Sequence, residues 1–191
     1  MKRVGVSELQ EPFKELLRQV GGVNGRDRLT EFLVWLNTPP NRWVKIHRGR
    51  FVSTEFVGHG WKLSQNETDR RSTTLKKLDL TKVELVTMLK ANESYISGEE
   101  SLKRLKTSRF VRLDTDTFIA LWNKKELIPE AWKEKKNGKT RCIFFFGKIL
   151  EDPDLYRHGI CLYWDVQTWK FRTRWLLNTW DDCDSFAVIP I

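Results

Sequence analysis

The run Trp164-Asp-Val-Gln-Thr-Trp169-Lys-Phe-Arg-Thr-Arg-Trp175-Leu-Leu-Asn-Thr-Trp180 holds four of the chain's nine tryptophans. From Trp169 onward it alternates with the two-residue period of a strand. Trp169, Phe171, Thr173 and Trp175 fall on one face, and Lys170, Arg172 and Arg174 fall on the other. One face is therefore core and the other cationic. The segments on either side follow the same period, predicting strands over 140–150, 157–164, 167–176 and 185–189. Turns at Asn137-Gly138, Glu151-Asp-Pro-Asp154 and Asp165-Val166 punctuate them. The simplest arrangement is an antiparallel meander with one face packed on helices from the preceding segment.

Upstream the period changes to that of helices. Ser97-x-x-Glu100 opens a helix over 98–106 with Leu102 and Leu105 inward, and Asp114 caps another over 115–124 that buries Phe118, Leu121 and Trp122. Thr81-x-x-Glu84 predicts a helix carrying Val83, Val86 and Leu89, and Pro129 starts a short turn. Near the start, residues 9–20 and 27–37 predict a helical hairpin that ends at Gly21-Gly22 and Pro39-Pro40. Residues 42–47 and 50–57, joined at Arg48-Gly49, read as a β-hairpin. The polar run 64–77 is nearly free of aliphatic residues and reads as a linker. The expected fold class is α+β. It comprises a helical-hairpin plus β-hairpin unit over 1–63, a linker over 64–77, and a helical segment with an antiparallel sheet over 78–191.

The 191-residue chain carries a formal charge of +9, unevenly spread. Lys and Arg outnumber Asp and Glu by 11 to 6 over residues 1–63 and by 17 to 12 over 64–139, but fall behind by 6 to 7 over 140–191. Such a balance attracts polyanions, because each neutralised phosphate releases counterions. Cys142, Cys161 and Cys183 are odd in number, form no C-x-x-C pair, and sit among apolar residues. They read as free thiols in a reducing compartment. The start lacks the apolar core of a secretory signal, and no purely apolar run, Cys142 to Phe146 included, exceeds five residues, far too short to cross a bilayer. The expected location is cytoplasmic.

Several segments match a known group in order. They are Gly58-His-Gly-Trp-Lys-Leu63, Lys77-Leu-Asp-Leu80, Ser97-Gly-Glu-Glu100, Arg112-Leu-Asp114, Leu127-Ile-Pro-Glu-Ala-Trp-Lys-Glu134 and the Trp164/Trp169/Trp175/Trp180 comb. Over residues 56–189 they resemble a group of small uncharacterised proteins from candidate-phylum (Patescibacteria-type) and metagenomic bacteria. That group has no established activity, so the resemblance implies kinship and carries over no functional residue.

Chemistry-bearing residues are sparse. His47, His59 and His158 have no metal-ligand spacing, and His158 and Cys161, three apart in a strand, point to opposite faces. Asp181, Asp182 and Asp184, with Asp165, supply carboxylates for a nuclease-type cation or else form an acidic turn, which is the simpler reading. No cofactor or metal site is expected. Two cationic surfaces remain. One is the sheet stripe Lys170, Arg172 and Arg174 with Arg157 on the neighbouring strand. The other is the hairpin set Arg42, Lys45, Arg48 and Arg50, interleaved with Trp43 and Phe51. For each the simpler reading is a solvated surface over a core. The expected function is a non-enzymatic basic module that contacts nucleic acid. A protein-interaction module is the alternative, and a metal-dependent nuclease is a weaker third.

Overall fold

The computed structural model describes residues 42–191, so the expected helical hairpin over 9–37 lies outside the described residues. The first half contains strands Trp43–Lys45 (β1), Lys62–Thr68 (β2), Lys77–Asp79 (β3), Glu84–Val86 (β4), Ile96–Ser97 (β5) and Phe110–Arg112 (β6). Helices Ser53–Phe56 (α1), Arg70–Thr73 (α2), Gly98–Thr107 (α3) and Thr115–Trp122 (α4) alternate with them. Two short 3-10 helices, Lys125–Leu127 and Glu130–Lys133, follow α4, and after them come only strands and turns: Cys142–Phe144 (β7), Lys148–Glu151 (β8), Arg157–Asp165 (β9), Thr168–Trp175 (β10), Thr179–Trp180 (β11) and Asp184–Pro190 (β12).

The α+β class with helices on one face of a meander is corrected. The described residues are mostly β, built on one mixed eight-stranded sheet with four short helices. Strands β9 and β10 form the expected antiparallel pair, in register from Thr168↔Asp165 to Trp175↔His158. Both β7 and β8 lie along the other edge of β9, and β12 then joins β7 in parallel, with Asp184 beside Cys142. Strand β12 also carries β4 on one edge and β6 on the other.

Apolar residues in the central strands are continuous because both sheet faces are buried. Ile143, Phe145, Ile160 and Leu162 face one core with Phe118 and Leu121 of α4. Cys142, Phe144, Phe146 and Cys161 face a second core with Leu102 and Leu105 of α3. Within the tryptophan comb, Trp169 enters the first core while Trp180 stacks on Phe144 in the second, with ring centroids 4.2 Å apart.

The expected β-hairpin over 42–57 does not form. Instead β1 pairs with β3, residues 53–56 are helical, and the Arg50 and Phe51 N–H groups donate to the buried Asp116 carboxylate. Those donors are thereby withdrawn from any hairpin ladder. The expected helix after Thr81 is also replaced. Asp79 caps a single turn over Leu80–Lys82, and the Glu84–Val86 stretch beyond it pairs with β12. Ser97 and Asp114 cap α3 and α4 as expected, accepting the N–H of Glu100 and Thr117.

The polar run 64–77 contains most of β2, all of α2 and the first residue of β3, and Asn41–Ile191 makes one compact unit. Its buried members are Ser64, Asp69 and Ser72. Asp69 accepts the N–H of Arg112 and ion-pairs with Arg71 at 2.9 Å, which ties this run to β6.

The strand formed by β7 and β8 is interrupted at Phe145-Phe146-Gly147. The Gly147 N–H donates to Leu113, its carbonyl accepts from Asp69, and the Phe145 N–H donates to Ile160. A Cβ on Gly147 would lie 2.4 Å from the Arg112 carbonyl oxygen and 2.9 Å from the Asp114 Cα. Because the obstacles are backbone, Gly147→Ala is expected to destabilise the fold by about 1–3 kcal/mol or more in chemical denaturation.

Ion pairs between buried carboxylates and partly exposed cations lock the start of α4. Arg48 reaches Asp114 at 2.6 Å, and Lys148 reaches Asp116 at 3.0 Å. Burial raises the Asp116 carboxyl, but hydrogen bonding and charge from Lys148, together with backbone N–H groups, outweigh it and leave the group below its ordinary value of 3.8. With the folded value depressed, the Asp116 contribution is present above about pH 4 and lost as pH falls through the folded value. Asp116→Asn is expected to cost roughly 2 kcal/mol at neutral pH and to flatten the acid limb of a stability-versus-pH curve.

Candidate functional site

The cations of the sheet stripe share one side of β10, as the alternation predicts, but other elements of the fold supply carboxylate partners for most of them. Lys170 pairs with Asp165 and Arg174 with Asp184, both at 2.5 Å. Arg157 lies between Glu99 at 2.7 Å and Glu67 at 3.2 Å. Arg172 has no carboxylate within ion-pair distance among the described residues. It lies over the Tyr163 ring at 5.1 Å and places Nη2 2.9 Å from the Cys142 sulfur.

The four cations of the first segment are also separated. Arg48 donates to the carbonyls of Ser72 and Leu75 besides Asp114 and is a structural tie. Arg50 is exposed and lines a cleft of about 370 Å³ with His47, Glu55, Asp116 and Asn123. Arg42 lies 3.7 Å from Asp79, with about half its side chain exposed. Lys45 is exposed on β1.

Pairing of β1 with β3 assembles a cationic ribbon around Arg42 and Lys45. Val44 and Leu78 point into the core, so their neighbours Trp43, Lys45 and Lys77 point outward. Lys45 and Lys77 are directly opposite each other, and the Lys77 ammonium sits over the Trp43 ring at 4.8 Å. Trp43 remains 40 % exposed. Exposed Lys76 and Lys82 flank the ribbon, and among the described residues no carboxylate lies within ion-pair distance of Lys45, Lys76 or Lys77. Like charges directly opposite each other on a sheet weaken the pair, so this arrangement carries a folding cost. Sequence reasoning missed Lys76 and Lys77 because they close the polar run. The alternation of Lys77-Leu78-Asp79 was the available sign of a strand there.

The acidic turn has its own partners. Ligand atoms of Asp181, Asp182 and Cys183 lie within 4.8 Å of one another. Lys139 bonds Asp181 at 2.7 Å, Asn137 bonds Asp182 at 2.6 Å, and the Cys183 thiol donates to the Lys136 carbonyl at 3.3 Å. The group thus fastens the 136–139 turn to the start of β12. All three cysteines are free and buried. Among the described residues no helix is long and apolar enough to cross a membrane.

No protein-family model, curated protein or solved structure matches this chain. The ribbon, the sheet cations and the thiols are therefore read from their own chemistry. With Arg71 held by Asp69 inside folded structure, trypsin is expected to leave the Arg70-Arg71 site intact under native conditions. Peptide mapping of a limited digest checks this.

Proposed function

We propose that the protein is a nucleic-acid-binding module that works in a reducing compartment such as the cytoplasm and contacts single strands through the β1–β3 ribbon. The observation that carries this reading is the direct opposition of Lys45 and Lys77 beside the half-exposed Trp43. Two ammonium groups at one rung, a costly arrangement for the folded chain, are stabilised by a phosphate placed between them. An aromatic ring next to a phosphate-binding rung is the composition of a stacking platform. Cations follow the backbone while the ring takes a base of any sequence. Arg42, Lys76 and Lys82 extend the track along the ribbon. The stripe on β10 contributes less, because Lys170, Arg174 and Arg157 already satisfy carboxylates.

Lys45→Gln with Lys77→Gln is expected to weaken binding of a single-stranded oligonucleotide at every sequence alike. The salt dependence should flatten by about 0.7 in log–log slope per lost phosphate contact. Trp43→Ala should cost about 1–3 kcal/mol of binding, the worth of one stacked base. Thermal stability of the double lysine variant should hold or rise, since a like-charge pair is removed. Fluorescence anisotropy titrations across a salt series read all three. Equal affinity of the wild type and the double lysine variant at low salt would refute the reading, and a salt-insensitive protein partner recovered on the same ribbon would replace it with the protein-interaction alternative.

A further inference from the structure

The sheet carries an arrangement on its second-core side that the nucleic-acid reading does not use. Three neighbouring strands place Cys142 on β7, Cys161 on β9 and Arg172 on β10 on one face. Cys161 is directly opposite Arg172 and diagonal to Cys142 across the Phe144↔Cys161 and Cys142↔Tyr163 rungs. The Arg172 guanidinium, lacking a carboxylate among the described residues, puts Nη2 2.9 Å from the Cys142 sulfur. A cleft of about 330 Å³ opens here, and its lining includes Cys142, itself only 2 % exposed, together with Cys183, Arg172, Tyr95, Asp181 and Asp184. Tyr95 at its rim is 64 % exposed.

We infer that Cys142 is a reactive thiol, paired with the Arg172 guanidinium at the floor of this cleft and oxidised to the sulfenic acid by a small hydroperoxide. In the step, the sulfur attacks the terminal oxygen of the peroxide, which arrives with its hydrogen. An S–O bond forms and the O–O bond breaks. The electron pair goes to the departing oxygen, which takes a proton from solvent and leaves as water or an alcohol. Sulfur loses two electrons and the peroxide gains them. A thiol reductant returns the group to its starting state.

The environments of the three cysteines separate their reactivity. A hydrogen bond from Cys161, working against burial and joined by the charge and hydrogen bond of Arg172, brings the Cys142 thiol down to about 7, with Asp184 on β12 opposing. Burial, followed by the hydrogen bond to Cys142, pushes Cys161 up. Burial and the carboxylates of Asp181 and Asp182 push Cys183 up to about 11. Of the other charged groups around the cleft, Arg174 is engaged by Asp184 and Lys139 by Asp181. The cation aimed at sulfur is Arg172.

The test uses the folded full chain at pH 7, treated with stoichiometric hydrogen peroxide and dimedone, a trap for sulfenic acid, followed by peptide mapping. Cys142 is expected to label at least tenfold faster than Cys161 or Cys183, and Cys142→Ser should abolish the fast adduct. Arg172→Gln should slow labelling roughly tenfold at pH 7 and recover it near pH 9, where the thiol ionises without the guanidinium. Arg172→Lys should retain much of the rate. Recovery at high pH separates an effect on ionisation from damage to packing, and circular dichroism of each variant verifies the fold. The inference is overturned if native Cys142 labels only after denaturation, if Cys183 labels as fast, or if Arg172→Gln reacts like the wild type.

Discussion

The interruption at Phe145-Phe146-Gly147 is the constraint on which the rest of the molecule depends. A strand that continued straight through these residues would offer all its backbone groups to its two sheet neighbours. Instead the Gly147 N–H and carbonyl are spent on Leu113 and Asp69, two segments far apart in sequence. The break gathers the end of β2, the start of α2, the end of β6 and the start of α4 at one point. The buried carboxylates Asp69 and Asp114 flank that point and are satisfied by Arg71, Arg112 and Arg48. Glycine at 147 is a matter of space, since the backbone of residues 112 and 114 occupies the position a side chain would take.

Charge is divided between two uses. In the sheet, most basic side chains meet an acidic side chain from another strand, so the formal excess there is largely spent within the fold. On the β1–β3 ribbon the excess is left unspent, and two lysines are set face to face. Net charge alone could not make this distinction, because it counts both kinds of cation equally. The same logic applies to Arg172, whose partner is a sulfur where its neighbours have carboxylates.

Local chemistry was legible in the sequence and distant pairing was not. The caps at Ser97 and Asp114, the turn at Asn137-Gly138, where both residues have positive φ, and the strand periods of β9 and β10 were all readable from a few adjacent residues. The 42–57 hairpin failed because Asp116, some sixty-five residues away, takes the N–H groups of Arg50 and Phe51. The helix after Thr81 failed because β12 offers the Glu84–Val86 stretch a ladder, and pairing outweighed a weak cap. The polar run 64–77 was legible as polar, but its buried carboxylate, Asp69, is satisfied by Arg71 and the Arg112 N–H on folding, which composition cannot reveal. Among the candidate site residues, the alternation placed Lys170, Arg172 and Arg174 on one face correctly. Their partners came from other strands, and the ribbon's second half from a segment read as a linker.

Strand β12 has a consequence for how the chain acquires its structure. Phe186 lies beside both Phe144 and Val86, and Val188 beside both Glu84 and Arg112, so a single seven-residue segment completes the ladders of three strands dispersed along the sequence. Until it docks, β4 and β6 have no partner in the large sheet, and each closure encloses a long loop before any contact repays the lost entropy. Folding should be slow and cooperative. Before docking, the chain would expose an unpaired edge of β7 beside a run of phenylalanines, the species from which such a protein aggregates.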